Sequence, residues 1–366
     1  MKVLAVVPDG NVLDRLKWIA KFNPEIEWDV IGVHPDCAWE PVDWAKSFVG
    51  LECDYREVKN TPQEDEDDVG LRGQKCLAYE LACRELRSPL LGYWFHYDKH
   101  EMLFGVAKLA TELDDVECDM VVTWGERGWY NEVAGEWAKR NGKPVCRLER
   151  ATFPGMLVAD GTGLEQGRCD LAYYRGRALD AWMTMYDLEY WISVAPWQAI
   201  EAQPRTTLGM ASKLLDNRPS VFVPLQVPVD TNMIFRTGTV SDNHSLLEYV
   251  ADKYTGYNVL VKKHPSDGFT SDSALETYCN QKGFQLVNGA THAYLQVTNE
   301  VVSINSQVII EAWMHGLKPE ILGKPAFDLP DETDKEALLY TLRFAYYIEP
   351  WQLTERLQQI GNAHDK

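Results

Sequence analysis

Short apolar runs that alternate with helix-period segments are the feature that most constrains this chain. Val3-Leu4-Ala5-Val6-Val7 is an apolar run closed by Pro8-Asp9-Gly10, after which Leu13, Leu16, Ile19 and Ala20 recur at helical spacing. The same unit begins again at Trp28 to Val33 and at Asp119 to Gly125, where a helical segment from Glu132 to Arg140 ends at Asn141-Gly142 and Pro144 to Leu148 reads as a further strand. Strands separated by helices build a parallel sheet covered on both faces, so the chain belongs to the α/β class.

The rhythm breaks between Gln203 and Arg218, where the composition turns polar and proline-bearing, and resumes at Ser220-Val221-Phe222-Val223-Pro224-Leu225. Helices are predicted near 245–254, 273–282 and 307–315, and strands at 258–262, 284–287, 301–303 and 319–323. A length of 366 residues accommodates two cores. We therefore expect two Rossmann-like domains facing across a cleft, residues 1–205 and 206–345, with residues 346–366 as a helical tail that packs back on the first. The acidic run Thr61 to Asp68 reads as a solvated loop.

Bulk properties narrow the function. No apolar run approaches the ~18 residues that a membrane span needs, and the N-terminus reads as a strand rather than a cleaved signal, so a cytoplasmic protein is expected. Eight cysteines lack a CxxC pair or a nearby histidine at ligand spacing, which supports neither a zinc site nor a disulfide framework. The formal charge of −19 disfavours generic nucleic-acid binding.

Four segments at predicted strand ends can carry chemistry, because ligands of open parallel sheets lie beyond the carboxyl ends of the strands. Lys262-Lys263-His264-Pro265 could meet a phosphate with its two lysines, while His264, held extended by Pro265, assists the leaving group; a solvated charged turn would read the same. Ser303-Ile304-Asn305-Ser306 leads into a helix with Asn305 or Ser306 as N-cap, a setting that suits an anion, and Glu311 lies on the edge of the apolar face, where it could take ribose hydroxyls. Asp230 ends the segment Val223-Pro224-Leu225-Gln226-Val227-Pro228-Val229-Asp230 and is a candidate base, or simply a turn residue. Glu149, between Arg147 and Arg150, could orient an acceptor or form a surface ion pair.

Together, WGERGWYNEVAGEWAKRNGKPVCRLER, VFVPLQVPVDTN, LVKKHPSD and SINSQVIIEAWMHGLKPEILGKPAFD resemble the capsular polysaccharide biosynthesis family, which includes transferases of Kdo from its CMP-activated form. The resemblance runs from about Val121 to Phe327. It implies a GT-B-like fold and an inverting glycosyltransferase that works without a metal ion or other cofactor, with a nucleotide sugar as co-substrate and a glycan as acceptor. By matching position, the first domain would face the acceptor and the second would hold the donor. Lys263, His264, Ser303, Asn305, Ser306 and Glu311 would bind the donor nucleotide. Asp230 would be the general base, with Glu149 assisting at the acceptor and His264 at the leaving group. After Glu149 the chain reads RATFPGMLVADGTGLEQG and departs from the family pattern, so a phage-type transferase acting on hydroxymethylated pyrimidine in DNA is an alternative. A sugar-nucleotide epimerase or hydrolase, or a non-catalytic nucleotide-binding protein, is the alternative from another class.

Overall fold

The computed structural model describes residues 1–7, 10–32, 53–57, 99–125, 128–153, 155–161, 215–228, 233, 238–268, 270–324, 339, 342 and 346–364. The acidic run 61–68, the expected junction at 205/206 and Asp230 lie outside the described residues. The chain divides into two compact units: Met1–Ala151, Gly155–Glu165 and Tyr347–Lys366 form one, and Thr152–Pro154 with Gln166–Tyr346 form the other. Each carries its own mainly parallel sheet, so the expected α/β class with two Rossmann-like units holds.

The first unit contains β1 (Lys2–Val7), α1 (Gly10–Ala20), β2 (Glu27–Gly32), β3 (Cys53–Glu57), α2 (Lys99–Asp114), β4 (Met120–Trp124), α3 (Trp129–Arg140), β5 (Val145–Arg150) and β6 (Leu157–Asp160). Its sheet runs β12-β6-β5-β4-β1-β2-β3, where β12 is Tyr347–Ile348. The pairs from β5 to β3 are parallel, whereas β6 is antiparallel to both β5 and β12. Period-two alternation sends Val3, Ala5 and Val7 into one core layer, with α1, and Leu4 and Val6 into the other, with α2 and α3.

The C-terminal segment is part of this first core. Leu353 and Leu357 of α8 (Leu353–His364) are fully buried in the α1-side layer with Ile348. Asn23, fully buried, fixes the segment from the other side: its Nδ2 donates to Pro350 O at 2.8 Å, and its Oδ1 accepts from Thr354 N at 3.2 Å and Thr354 Oγ1 at 3.0 Å. These bonds satisfy a buried amide that would otherwise oppose folding.

The second unit contains β7 (Ser220–Pro224), α4 (Asn243–Lys253), β8 (Asn258–Lys262), α5 (Asp272–Lys282), β9 (Gln285–Val287), α6 (Thr291–Leu295), β10 (Glu300–Ser303), α7 (Val308–Met314) and β11 (Pro319–Ile321). Its sheet, β11-β10-β7-β8-β9, is parallel throughout. Val221, Val223, Val259, Val261 and Val302 pack on one face against α4 and α5, and Phe222, Leu260 and Val301 pack on the other with Tyr294, Leu295 and Ala312 of α6 and α7. Asp242 caps α4 through a reciprocal bond pair with Ser245, and Gly283 ends α5 in the left-handed region at φ 72. At Gly238 any Cβ would collide with the Leu322 carbonyl, so only glycine lets that loop lie against β11.

Truncating Leu353 to alanine should lower the stability of the first unit by about 2–5 kcal/mol, the usual range for a deleted core leucine. Urea denaturation followed by tryptophan fluorescence measures it, and a loss well under ~1 kcal/mol would mean that the C-terminal helix is not integral to that core.

Candidate functional site

The parallel strands of the second unit bring several of the proposed residues to their carboxyl ends. Period-two alternation decides which lysine faces where. Lys262 shares the face of Leu260, beneath α6 and α7, and retains only 9% exposure. Lys263 lies on the opposite side: its Nζ donates to Thr270 O and to Asp272 Oδ1, both at 2.6 Å, which ties it to the start of α5. His264 is exposed, and its Nδ1 accepts from Ser266 N at 3.1 Å, closing a tight turn after the strand.

Around Lys262 a polar cluster forms among otherwise apolar side chains. Its Nζ donates to Thr291 Oγ1 at 3.0 Å, at the first residue of α6. The next residue, His292, places Nε2 at 3.9 Å from Glu311 Oε2 and Nδ1 at 3.1 Å from His315 Nε2. Glu311 and His315 stand one helical turn apart on α7, so both meet the same partner on α6. Thr291, His292 and His315 were not among the residues read as functional from sequence. The i, i+4 spacing of Glu311 and His315 and the pairing of Lys262 with Leu260 were the available signals.

Desolvation dominates the electrostatics of this cluster. Glu311 keeps 22% of its side-chain exposure, yet burial raises its pKa to about 7, opposed only partly by the positive charge of Lys262. Burial likewise pushes Lys262 below the usual lysine range, with Glu311 pulling the other way. His292 is lowered to about 4 by burial first and then by His315 and Lys262, and His315 to about 4 by burial. Both imidazoles are therefore neutral near pH 7, and their shared contact makes one ring a donor and the other an acceptor.

The turn from β10 into α7 is held by its own side chains. Ser303, fully buried, accepts Ser306 N at 3.3 Å, and Ser306 Oγ accepts Val308 N at 3.2 Å, so each hydroxyl keeps its proton for another acceptor. Asn305 faces inward: its Oδ1 accepts Gln226 Nε2 at 2.8 Å and its N–H donates to Gln226 Oε1 at 3.2 Å. Gln226 is fixed in turn by Asn243, whose Oδ1 accepts Gln226 N at 3.1 Å and whose Nδ2 donates to Gln226 O at 2.6 Å. Asn305 thus locks the loops after β7 and β10 together. The helix itself starts at Val308, with Gln307 at the N-cap position and no side-chain cap bond there.

In the first unit, Glu149 is half-buried on β5 opposite Val158, and its Oε1 accepts Arg150 N at 3.0 Å. Among the described residues no cluster of three or more His, Cys, Asp or Glu is placed to hold a metal ion, and no helix is long and apolar enough to cross a membrane. Cys118, Cys146 and Cys279 are buried and free.

The chain thus holds two Rossmann-like α/β units, and in the second a buried ammonium at the end of β8 lies near the Glu311 carboxyl on α7. Residues 172–342, which lie inside the second unit, match the family model described as capsule polysaccharide biosynthesis protein. The motifs at 221–232, 260–267 and 303–328 fall within the matched residues, and the one at 124–150 falls outside them. Among solved structures, the chain is similar to KpsC of Thermosulfurimonas dismutans, described as a beta Kdo 2,7 transferase, at 13% identity over 99% of each chain with a TM-score of 0.47. It is also similar to the beta Kdo 2,4 transferase of KpsC from the same organism, at 14% identity over 67% of this chain and 87% of that one with a TM-score of 0.42. The UDP-GlcNAc 2-epimerase from Methanocaldococcus jannaschii follows at 10% identity over 98% and 100% of the two chains with a TM-score of 0.36. No curated protein matches the chain.

The shifted groups predict opposing pH limbs. A carboxyl raised from 4.5 to about 7 contributes stability that is present below 4.5 and lost as pH rises through 7; histidines lowered from 6.5 to about 4 contribute stability that is present above 6.5 and lost as pH falls through 4. Among the described residues, the titrating groups that act on or contact Glu311 are Lys262 from β8 and His292 from α6, and His292 in turn contacts His315 at the end of α7. Glu311→Gln should therefore gain stability relative to the parent between pH 5 and pH 8. Melting temperatures across that range test it, and a pH-independent difference would mean that the carboxyl is already solvated.

Proposed function

We propose that the chain is an inverting, metal-independent glycosyltransferase that moves a sugar from a nucleotide-sugar donor to a glycan hydroxyl. The observation that carries this reading is the convergence of Lys262, Thr291, His292 and Glu311 at the carboxyl end of β8, within the family-matched unit. Ligands of parallel sheets bind there. The family resemblance puts a CMP-activated sugar first among donors.

In this reading Glu311 accepts hydrogen bonds from the ribose, and Ser303 and Ser306 offer hydroxyl protons to phosphate oxygens. Asp230 takes the proton of the acceptor hydroxyl as its oxygen forms the new bond to the anomeric carbon. The bond from that carbon to the phosphate oxygen breaks on the opposite side, and the phosphate leaves with the electron pair, assisted by a proton or hydrogen bond from His264. Glu149 orients the acceptor. Lys263 is held to α5 by Asp272, so it contributes positive potential near the leaving phosphate only if that ion pair opens.

A thermal-shift screen over CMP, UDP, GDP and ADP tests the donor site, because a ligand of the folded state raises its apparent stability by mass action. One of the four should protect the protein, less so in Glu311→Ala and His264→Ala. Asp230→Asn should keep that protection and lose sugar transfer by at least ~100-fold, the scale of general base catalysis. Indifference to all four nucleotides would overturn the donor reading.

A further inference from the structure

The two opposite charges at the carboxyl end of β8 do not touch. Among the described residues no ion pair within 4.0 Å joins Lys262 to Glu311, although each side chain senses the other's field. Lys262 has three donors and makes one hydrogen bond, to Thr291 Oγ1 at 3.0 Å, at 9% exposure. Glu311 forms no hydrogen bond through its carboxyl to a described residue, and His292 Nε2 stands 3.9 Å from its Oε2. Lys262 thus keeps two donors, and the partly exposed Glu311 its carboxyl oxygens, without a bond to a described residue, which leaves both able to meet a ligand.

A group that fits both sides at once must accept from the ammonium and donate to the carboxylate. A hydroxyl does this, with one proton to give and lone pairs to receive. A phosphate oxygen suits Lys262 but has no proton for the ionised form of Glu311, which would repel it, whereas a hydroxyl meets that form with its proton. We infer that Lys262 is a specificity-determining residue, which together with Glu311 clamps one hydroxyl of the ligand's vicinal diol, so that the site selects a ribonucleotide over its deoxy counterparts. Thr291 acts as a positioning residue for the ammonium. His292, braced by His315, limits the space in which the carboxyl of Glu311 turns. This inference rests on the donor reading above and adds Lys262 and Thr291 to it.

Isothermal titration with the best binder among CMP, UDP, GDP and ADP, and with its 2′-deoxy and 3′-deoxy counterparts, tests it. The unaltered protein should bind the ribonucleotide about tenfold more tightly than one of the deoxy forms, the scale of a lost hydrogen bond to a charged group. Lys262→Met, similar in volume and uncharged, should bind ribo and deoxy forms alike. Thr291→Val, which leaves the lysine in place, should narrow the ratio without abolishing binding. Below pH 7 the Glu311 carboxyl gains its proton, so at pH 6 Lys262→Met should melt no lower than the parent, as expected when an under-bonded buried charge is replaced by an apolar chain. A ribo-to-deoxy ratio near one in the unaltered protein, or an undiminished ratio in both variants, overturns the clamp and leaves the donor reading standing. A lower melting point of Lys262→Met at pH 6 with the ratio intact assigns the lysine to structure and also overturns it. Failure of every nucleotide to bind overturns both.

Discussion

An ammonium and a carboxyl, both largely withdrawn from water and set apart by a gap, are what the rest of the second unit is arranged around. Removing each ion from water costs several kcal/mol even after relaxation, and a close pair with excellent geometry is the usual way to offset that cost. Lys262 and Glu311 do not take that geometry, so their charges remain available at the end of the sheet rather than cancelling within it. The core on the face of the sheet that carries Lys262 is apolar, with Leu260 and Phe222 from the strands and Tyr294 and Ala312 from the flanking helices, and His292 and His315 are in contact beside Glu311.

Glu320 in the same unit shows the contrast. Burial alone would raise its pKa, but hydrogen bonds from Lys253, Tyr249 and Tyr254 together hold it below the ordinary carboxylate value. Two glutamates in one unit are thus shifted in opposite directions, one by full satisfaction and one by its absence. A folded protein that bonds Glu320 so thoroughly does not leave Glu311 open for want of donors. The same economy holds at the turns, where Gln226 bonds both Asn243, at the start of α4, and Asn305, after β10. Bonded loops beside a pair of opposite charges that do not bond each other suit a binding site, whose polar groups are held in place before the ligand arrives.

Legibility in the sequence followed the strength of the local pattern. The central strands β1, β4, β7, β8 and β10 were readable because a buried parallel strand must be apolar along its length, and their bounds shift by a residue or two. Weakly patterned elements were not: β6, four residues in a stretch that looks like a glycine-bearing loop, and α6, five residues without a capping side chain. Missing α6 meant missing Thr291 and His292, since nothing local brings them to Glu311. In the segment Lys262-Lys263-His264 both lysines were seen to be placed for a phosphate, yet the residue assigned was Lys263. The choice turned on strand parity, and parity becomes informative only when the face covered by α6 and α7 is known. Asn305 was read as a cap or ligand donor, whereas its side chain pairs with Gln226, 79 positions away, which no local pattern encodes.

The histidine pair has a consequence for the charge of the site. Were His292 cationic at neutral pH, two positive groups would flank Glu311 and hold it ionised, and the cluster would favour anions. Burial, helped by mutual repulsion between the rings and by Lys262, keeps both imidazoles neutral, so one ammonium faces a carboxyl poised near pH 7. A site of nearly balanced charge, rich in both donors and acceptors, distinguishes ligands by hydroxyl placement more than by net charge. In the proposed reading, the phosphate of a nucleotide is met elsewhere, by the serine hydroxyls of the β10 turn and by groups beyond this cluster. On the proposed reading, a nearly neutral clamp for the nucleoside and a separate grip for the phosphate would let the leaving group change charge during transfer without disturbing the hold on the rest of the donor.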